Sequence, residues 1–169
     1  MLLLLAPARA QAPEIVWARP FTLAQPETWT MTASPRPFTE GLLVELRVDP
    51  AVAELREGRA PALFLGGEPL FRFNGDRVGG CVVGFVPGPV DLAAAPVFVG
   101  PATLPERLQA DEADNAARGR PALPVGDVKA ALAAGGAPLR AADLRDVQRE
   151  AMARVAACSA TPEDHQRAD

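Results

Sequence analysis

The sequence predicts a mainly β protein of the α+β class: an antiparallel β-sandwich of about six or seven short strands, followed by two helices packed on it. Three observations predict this. Apolar and polar residues alternate over 41–48, short apolar runs bounded by Pro or Gly recur between residues 14 and 100, and the apolar spacing becomes helical after residue 125.

Residues 41–48 form the clearest predicted strand. The even-numbered positions of 42–48 are all apolar, whereas the odd-numbered positions include Glu45 and Arg47. This alternation predicts one face in the core and the face of Glu45 on the polar side. Asn74-Gly75 predicts a tight hairpin after Phe71-Arg72-Phe73, because both central residues of a type I′ turn need positive φ. Further strands are predicted at 15–18, 29–31, 62–65, 80–86 and 96–99.

Two helices are predicted near the C-terminus. The first covers 127–134 and ends at Gly135-Gly136, because glycine tolerates the left-handed conformation at a helix end. The second covers 141–158, with Arg154 and other charged residues away from its apolar stripe. That stripe consists of Leu144, Val147, Ala151, Val155 and Cys158.

The chain of 169 residues is expected to form one folded domain, since this length buries enough surface for a core of its own. The predicted divisions are a signal peptide at 1–10, the sandwich at 11–108, a polar linker at 109–124, a helical extension of the same domain at 125–158 and a flexible tail at 159–169.

The N-terminus predicts export to the periplasm or the cell exterior. The apolar run Met1 to Ala6 is followed by Ala8-Arg9-Ala10, which has the small residues of a signal-peptidase site, so cleavage after Ala10 is expected. The run is shorter than usual and has no basic residue before it, which is consistent with a start that lies upstream. The alternative is that this segment is a strand or short helix of the fold.

Cys81 and Cys158, the two cysteines, are predicted to form a disulfide in that oxidising location. Cys81 begins a predicted buried strand, and Cys158 lies on the apolar stripe of the second helix. The bridge would close a loop of about 78 residues, which corresponds to about 4.5 kcal/mol in the chain-entropy model. The alternative is two buried thiols.

Composition argues against several functions. The net charge is −4 and Lys129 is the only lysine, so no basic stripe is available for nucleic acid. No apolar run is long enough to cross a bilayer. The single histidine, His165, lies in the polar tail, and neither serine has the surroundings of a nucleophile. No catalytic residue, cofactor or metal site is predicted.

Carboxylates remain as an alternative route to catalysis, because two of them suffice for glycoside hydrolysis. The candidates are Glu45, Glu68, Asp76 and Asp91. Each also has a structural explanation on a polar strand face or in a turn.

Aromatic residues give the predicted binding surface, which consists of Trp17, Trp29, Phe38 and Phe71. The alternative is that these rings belong to the core. The sequence therefore predicts an exported, non-catalytic binding or structural module whose partner is a protein or a glycan. The alternatives are a carboxylate-dependent hydrolase acting on a glycan and an inhibitor or chaperone subunit of a secreted partner.

Overall fold

The computed structural model describes residues 14–32, 34–47, 62–66, 68–73, 81–93, 97–100 and 125–159. The elements in chain order are β1 (Glu14–Trp29), β2 (Arg36–Arg47), β3 (Ala62–Leu65), β4 (Glu68–Pro69), β5 (Phe71–Arg72), β6 (Cys81–Pro87), β7 (Val97–Gly100), α1 (Val125–Gly135), β8 (Leu139–Ala141) and α2 (Leu144–Ser159).

The predicted α+β class is confirmed: mostly antiparallel strands precede two C-terminal helices. The predicted signal peptide, the linker at 109–124 and the Asn74-Gly75 hairpin lie outside the described residues, and so does the predicted tail after Ser159. In the described part of the chain, no helix has both the length and the apolar character needed to cross a membrane.

The strands form two sheets. The larger has the order β5-β6-β2-β1-β8, and the smaller has the order β4-β3-β7. All pairs are antiparallel except β1 with β8, which are parallel over Phe21–Leu23. In the larger sheet β2 is the central strand, between β1 and β6.

β1 is one strand of 16 residues where the sequence pattern predicts two short strands at 15–18 and 29–31. The two prolines inside it explain the wrong prediction, because Pro normally interrupts a strand. Pro26 lies in the register shift between Thr22 and Glu27, where the β1–β2 pairing is irregular. Pro20 lies just before the short stretch that pairs with β8. At Pro20 itself, β2 is the one strand that pairs with β1 among the described residues.

β2 is buried on both faces, which corrects the prediction of one buried face. Leu42, Val44 and Leu46 are buried on one side as expected. On the other side Leu43 is fully buried and Glu45 is only 7% exposed. A second layer therefore covers the face that the alternation assigned to solvent.

Two apolar clusters account for this burial. The first lies on one face of the larger sheet and includes residues of β3 and α1; it consists of Ile15, Ala18, Leu42, Val44, Leu46, Leu63, Leu65, Leu70, Val82, Val86, Leu92, Val128 and Ala131. The second lies on the opposite face and includes α2; it consists of Trp17, Phe21, Leu23, Trp29, Phe38, Leu43, Val83, Phe85, Ala141, Val147 and Ala151.

Two glycines permit close approaches between elements. A Cβ on Gly135, at the end of α1, would lie 1.8 Å from the carbonyl oxygen of Ala18, so only glycine lets this helix end contact β1. A Cβ on Gly84 would lie 2.3 Å from the carbonyl oxygen of Phe71, so glycine in β6 lets β5 pack directly against it. The second approach places Phe71 opposite Phe85 in the sheet register.

α2 presents the predicted apolar stripe to the sheet. Val147 and Ala151 are fully buried, and Leu144, Val155 and Cys158 are half-buried. Glu150 on its flank forms an ion pair with Arg19 of β1 at 2.8 Å, and Arg19 Nε also donates to the carbonyl of Ala137 at 2.8 Å. These polar contacts hold α2, and the segment between α1 and β8, against β1.

Candidate functional site

The C-terminal end of α2 is attached to the sheet by a disulfide. Cys81, the first residue of β6, is bonded to Cys158 in the last turn of α2, and their Cα atoms are 6.4 Å apart. The predicted bridge is confirmed. Because the bond joins residues 77 positions apart, it restricts the unfolded chain more than a short loop would.

An ion pair lies beside the disulfide. Glu45 lies near the C-terminal end of β2, opposite Trp17 of β1 and Val83 of β6. Arg154 of α2 donates from Nε to Glu45 Oε2 at 2.9 Å and also from Nη2 to the same oxygen. The other oxygen, Oε1, lies 3.7 Å from Cys81 Sγ.

Arg154 explains why an acidic side chain is tolerated in this position. Its guanidinium carbon lies 4.9 Å from the ring centre of Trp17, so the cation is held between a carboxylate and an aromatic face. Glu45 is the one buried charged side chain in the described core. A buried carboxylate needs such a partner, because desolvation without one costs several kcal/mol.

The same corner brings three potential metal ligands together. The two cysteine sulfurs and one oxygen of Glu45 lie within 4.8 Å of one another. In this structure both sulfurs belong to the disulfide, so neither offers a thiolate to a metal ion. The cluster therefore acts as an attachment point for α2.

A pocket of about 420 Å³ lies on the same face of the sheet, at the other end of α2. It is bounded by the β1–β2 hairpin, β5 and the residue that follows it, β6 and the first turn of α2. The described residues that line it are Thr28, Trp29, Thr30, Met31, Phe38, Phe71, Arg72, Phe73, Phe85, Leu144, Arg145 and Gln148.

Phe85 of β6 is the centre of the aromatic wall of this pocket. Its ring centre lies 5.4 to 5.9 Å from the centres of five other rings. The angles between ring planes range from 30° to 74°, so tilted and edge-to-face arrangements dominate. Each such pair contributes about 0.5–1.5 kcal/mol beyond apolar burial. The five rings belong to Phe21, Trp29, Phe38, Phe71 and Phe73.

The indole of Trp29 is held in place from the smaller sheet. Its Nε1 donates to Glu68 Oε2 at 3.2 Å, and Glu68 Oε1 accepts from Arg36. Trp29 is only 2% exposed, so this hydrogen bond satisfies a donor that burial would otherwise leave without water. The orientation of one pocket wall therefore depends on a contact between β1 and β4.

The first turn of α2 forms the opposite wall. Asp143, just before the helix, accepts a hydrogen bond from the backbone N–H of Arg145 at 2.9 Å. Asp146 accepts one from the backbone N–H of Ala142 at 2.8 Å and also binds Arg149 at 3.0 Å. This reciprocal arrangement is typical of a helix start and determines where Leu144, Arg145 and Gln148 stand.

The structure brings three of the four predicted surface aromatics together: Trp29, Phe38 and Phe71 all line the pocket. Phe71 is 40% exposed, while Trp29 and Phe38 are buried in its walls. Trp17 lies elsewhere, buried beneath Arg154.

The remaining lining residues belong to no sequence pattern that predicts binding. Phe85 lies within an apolar run that predicted a core strand, which gave no reason to choose it for binding. Arg72 and Arg145 are two of many scattered arginines, and no pattern relates β5 to the start of α2.

The candidate carboxylates have separate partners. Glu45 binds Arg154, Glu68 binds Trp29 and Arg36, and Asp91 Oδ1 accepts from the backbone N–H of Ala93 at 3.1 Å. None of these three lines the pocket. Asp76 lies outside the described residues.

Comparisons of the chain with protein-family models, with curated proteins and with solved structures found no match.

The ion pair between Glu45 and Arg154 is expected to stabilise the folded protein. Replacing Arg154 with Met leaves the carboxylate of Glu45 without its partner, so we expect the free energy of unfolding in urea to fall by about 3 kcal/mol, the lower end for a buried pair. Glu45→Gln should cost about as much, and the double variant should cost less than the sum of the two.

Arg149→Met is the matched control, because Arg149 pairs with Asp146 on the same helix but its side chain is 78% exposed. We expect this change to alter stability by no more than about 0.5 kcal/mol. Strictly additive effects at Glu45 and Arg154 would show that the pair is not coupled.

Proposed function

We propose that this chain is an exported, non-catalytic binding module and that the pocket between the sheet and the first turn of α2 is where it binds its ligand. The observation that carries the proposal is the pocket itself. Its volume of about 420 Å³ lies within the range of small-ligand sites, and aromatic rings with a few polar groups line it. Such a lining suits a ring-sized apolar group.

The candidate carboxylates are already bonded to protein partners, which supports binding over hydrolysis. Glycoside hydrolysis requires two carboxyl groups on either side of one substrate bond, about 5 to 9.5 Å apart. Glu45, Glu68 and Asp91 are each bonded to a different protein partner and lie outside the pocket lining. The hydrolase alternative therefore has less support than the binding proposal.

The predicted partner classes, a protein or a glycan, remain part of the proposal. A pocket of this size accommodates a free small molecule or a single group that protrudes from a larger partner. An inhibitor or chaperone subunit would belong to the same class of module.

A neutral fluorescent probe tests the pocket. We expect N-phenyl-1-naphthylamine to bind and to quench the emission of Trp29, which is the one remaining tryptophan in a Trp17→Phe variant. Replacing Phe71 with Ala removes an aromatic contact and should weaken the probe about fivefold to tenfold. Fluorescence titration measures both effects.

Met152→Ala is the matched control, because Met152 is an exposed apolar residue of α2 outside the pocket lining. This variant should bind the probe like the parent protein. Equal losses in both variants, or no saturable binding at all, would count against the pocket as a binding site.

Export forms the second part of the proposal, and the disulfide supports it because such bonds persist in oxidising compartments. We expect the protein isolated from the cells that produce it to begin with Gln11 and to contain no free thiol after unfolding. N-terminal sequencing and a thiol assay measure these two properties. A chain that retains Met1–Ala10, or that has two free thiols, would contradict export.

The arrangement of the two sheets is the third part of the proposal. We propose that the two sheets are the layers of a β-sandwich, as the sequence predicts. The support is that Leu63 and Leu65 of β3 belong to the same buried cluster as Val44 and Val86 of the larger sheet. We expect nuclear Overhauser contacts between leucine methyls of β3 and valine methyls of β2 and β6. Their absence in the folded protein would overturn the sandwich.

A further inference from the structure

We propose that the ligand of this pocket is a small organic anion, in which a flat apolar ring carries an acidic group such as a carboxylate or sulfonate. The inference rests on the binding function proposed above and specifies the ligand class. The aromatic wall determines the apolar part of the ligand, and the charges around the pocket determine the acidic part.

The described residues that line the pocket include two arginines and no carboxylate. Arg145 belongs to the first turn of α2 and is exposed, so its positive charge stands at the rim of the pocket. Guanidinium groups bind carboxylates and related oxyanions through parallel hydrogen bonds.

The described acidic side chains around the pocket are bonded to other groups. Asp143 and Asp146 are directed to the backbone at the start of α2, and Asp146 also pairs with Arg149. Glu68 is bonded to Trp29 and Arg36 and does not line the pocket. Among the described residues, Arg145 has no ion-pair partner, so its guanidinium is available to a bound anion.

The size of the pocket favours a small molecule over a longer chain. A volume of about 420 Å³ accommodates a two-ring or three-ring compound, and the described lining comes from one end of the sheet and not from a long strip along it. Thr28, Thr30 and Gln148 supply further hydrogen-bonding groups at the rim, which suit an acidic or hydroxyl substituent.

Two probes with one ring system test the inference. 8-Anilino-1-naphthalenesulfonate is an anion, and N-phenyl-1-naphthylamine is its neutral counterpart. The measured quantity is the ratio of the two dissociation constants in each variant. A substitution that changes apolar contact alone alters both constants by the same factor, so it leaves this ratio unchanged. Titrations use the full mature chain in the Trp17→Phe background, with its disulfide intact, and follow the quenching of Trp29.

Arg145→Gln is the test variant, and Arg140→Gln is its matched control, because Arg140 is an exposed arginine of β8 outside the lining. We expect Arg145→Gln to weaken the sulfonate about threefold to fivefold, as is typical of an exposed charge contact, and to leave the neutral probe unchanged. Arg140→Gln should change neither constant. Raising the salt concentration should reduce the preference for the sulfonate in the parent protein.

The outcomes separate this inference from the proposed function. If the neutral probe binds but the ratio is the same in all three proteins, the pocket is a binding site and the anionic ligand class is wrong. Equal changes in both arginine variants would show general charge attraction and would also overturn the inference. If neither probe quenches Trp29, the proposed function fails as well.

Discussion

The burial of β2 on both faces is the constraint on which the rest of the structure depends. Its second face carries Glu45, and a carboxylate under a helix is stable only when a cation accompanies it. Arg154 supplies that cation from α2 and reaches it across Trp17. The helix therefore docks in one register, in which the apolar stripe covers the sheet and the guanidinium lies above the acid.

This docking also determines the pocket. α2 is attached at its C-terminal end by the disulfide and the ion pair, and its first turn stands about 20 Å away at the rise of an α-helix. A helix of this length is stiff, so anchoring one end positions Leu144 and Arg145 at the other. The attachment point and the candidate binding site are thus two ends of one rigid element on one face of the sheet.

The chemistry of the two ends differs. At the attachment point, Glu45 is paired with Arg154 and the two cysteine sulfurs are bonded to each other, so these groups stabilise the fold. At the pocket, the aromatic rings pack around Phe85, and the hydrogen bond from Trp29 to Glu68 fixes one wall. The exposed polar side chains of Thr30, Arg145 and Gln148 line the same pocket.

The sequence by itself determined the α+β class, the apolar stripe of α2 and the pairing of its two cysteines, because these follow from local periodicity and from residue chemistry. It also selected Trp29, Phe38 and Phe71, since large aromatic side chains are rare in this chain. The tertiary structure decided that β1 continues through Pro20 and Pro26, that Glu45 is buried, and that Arg145 meets Phe71 across a pocket. Those properties depend on which distant elements cover a strand, and alternation within eight residues contains no information about a helix one hundred residues later.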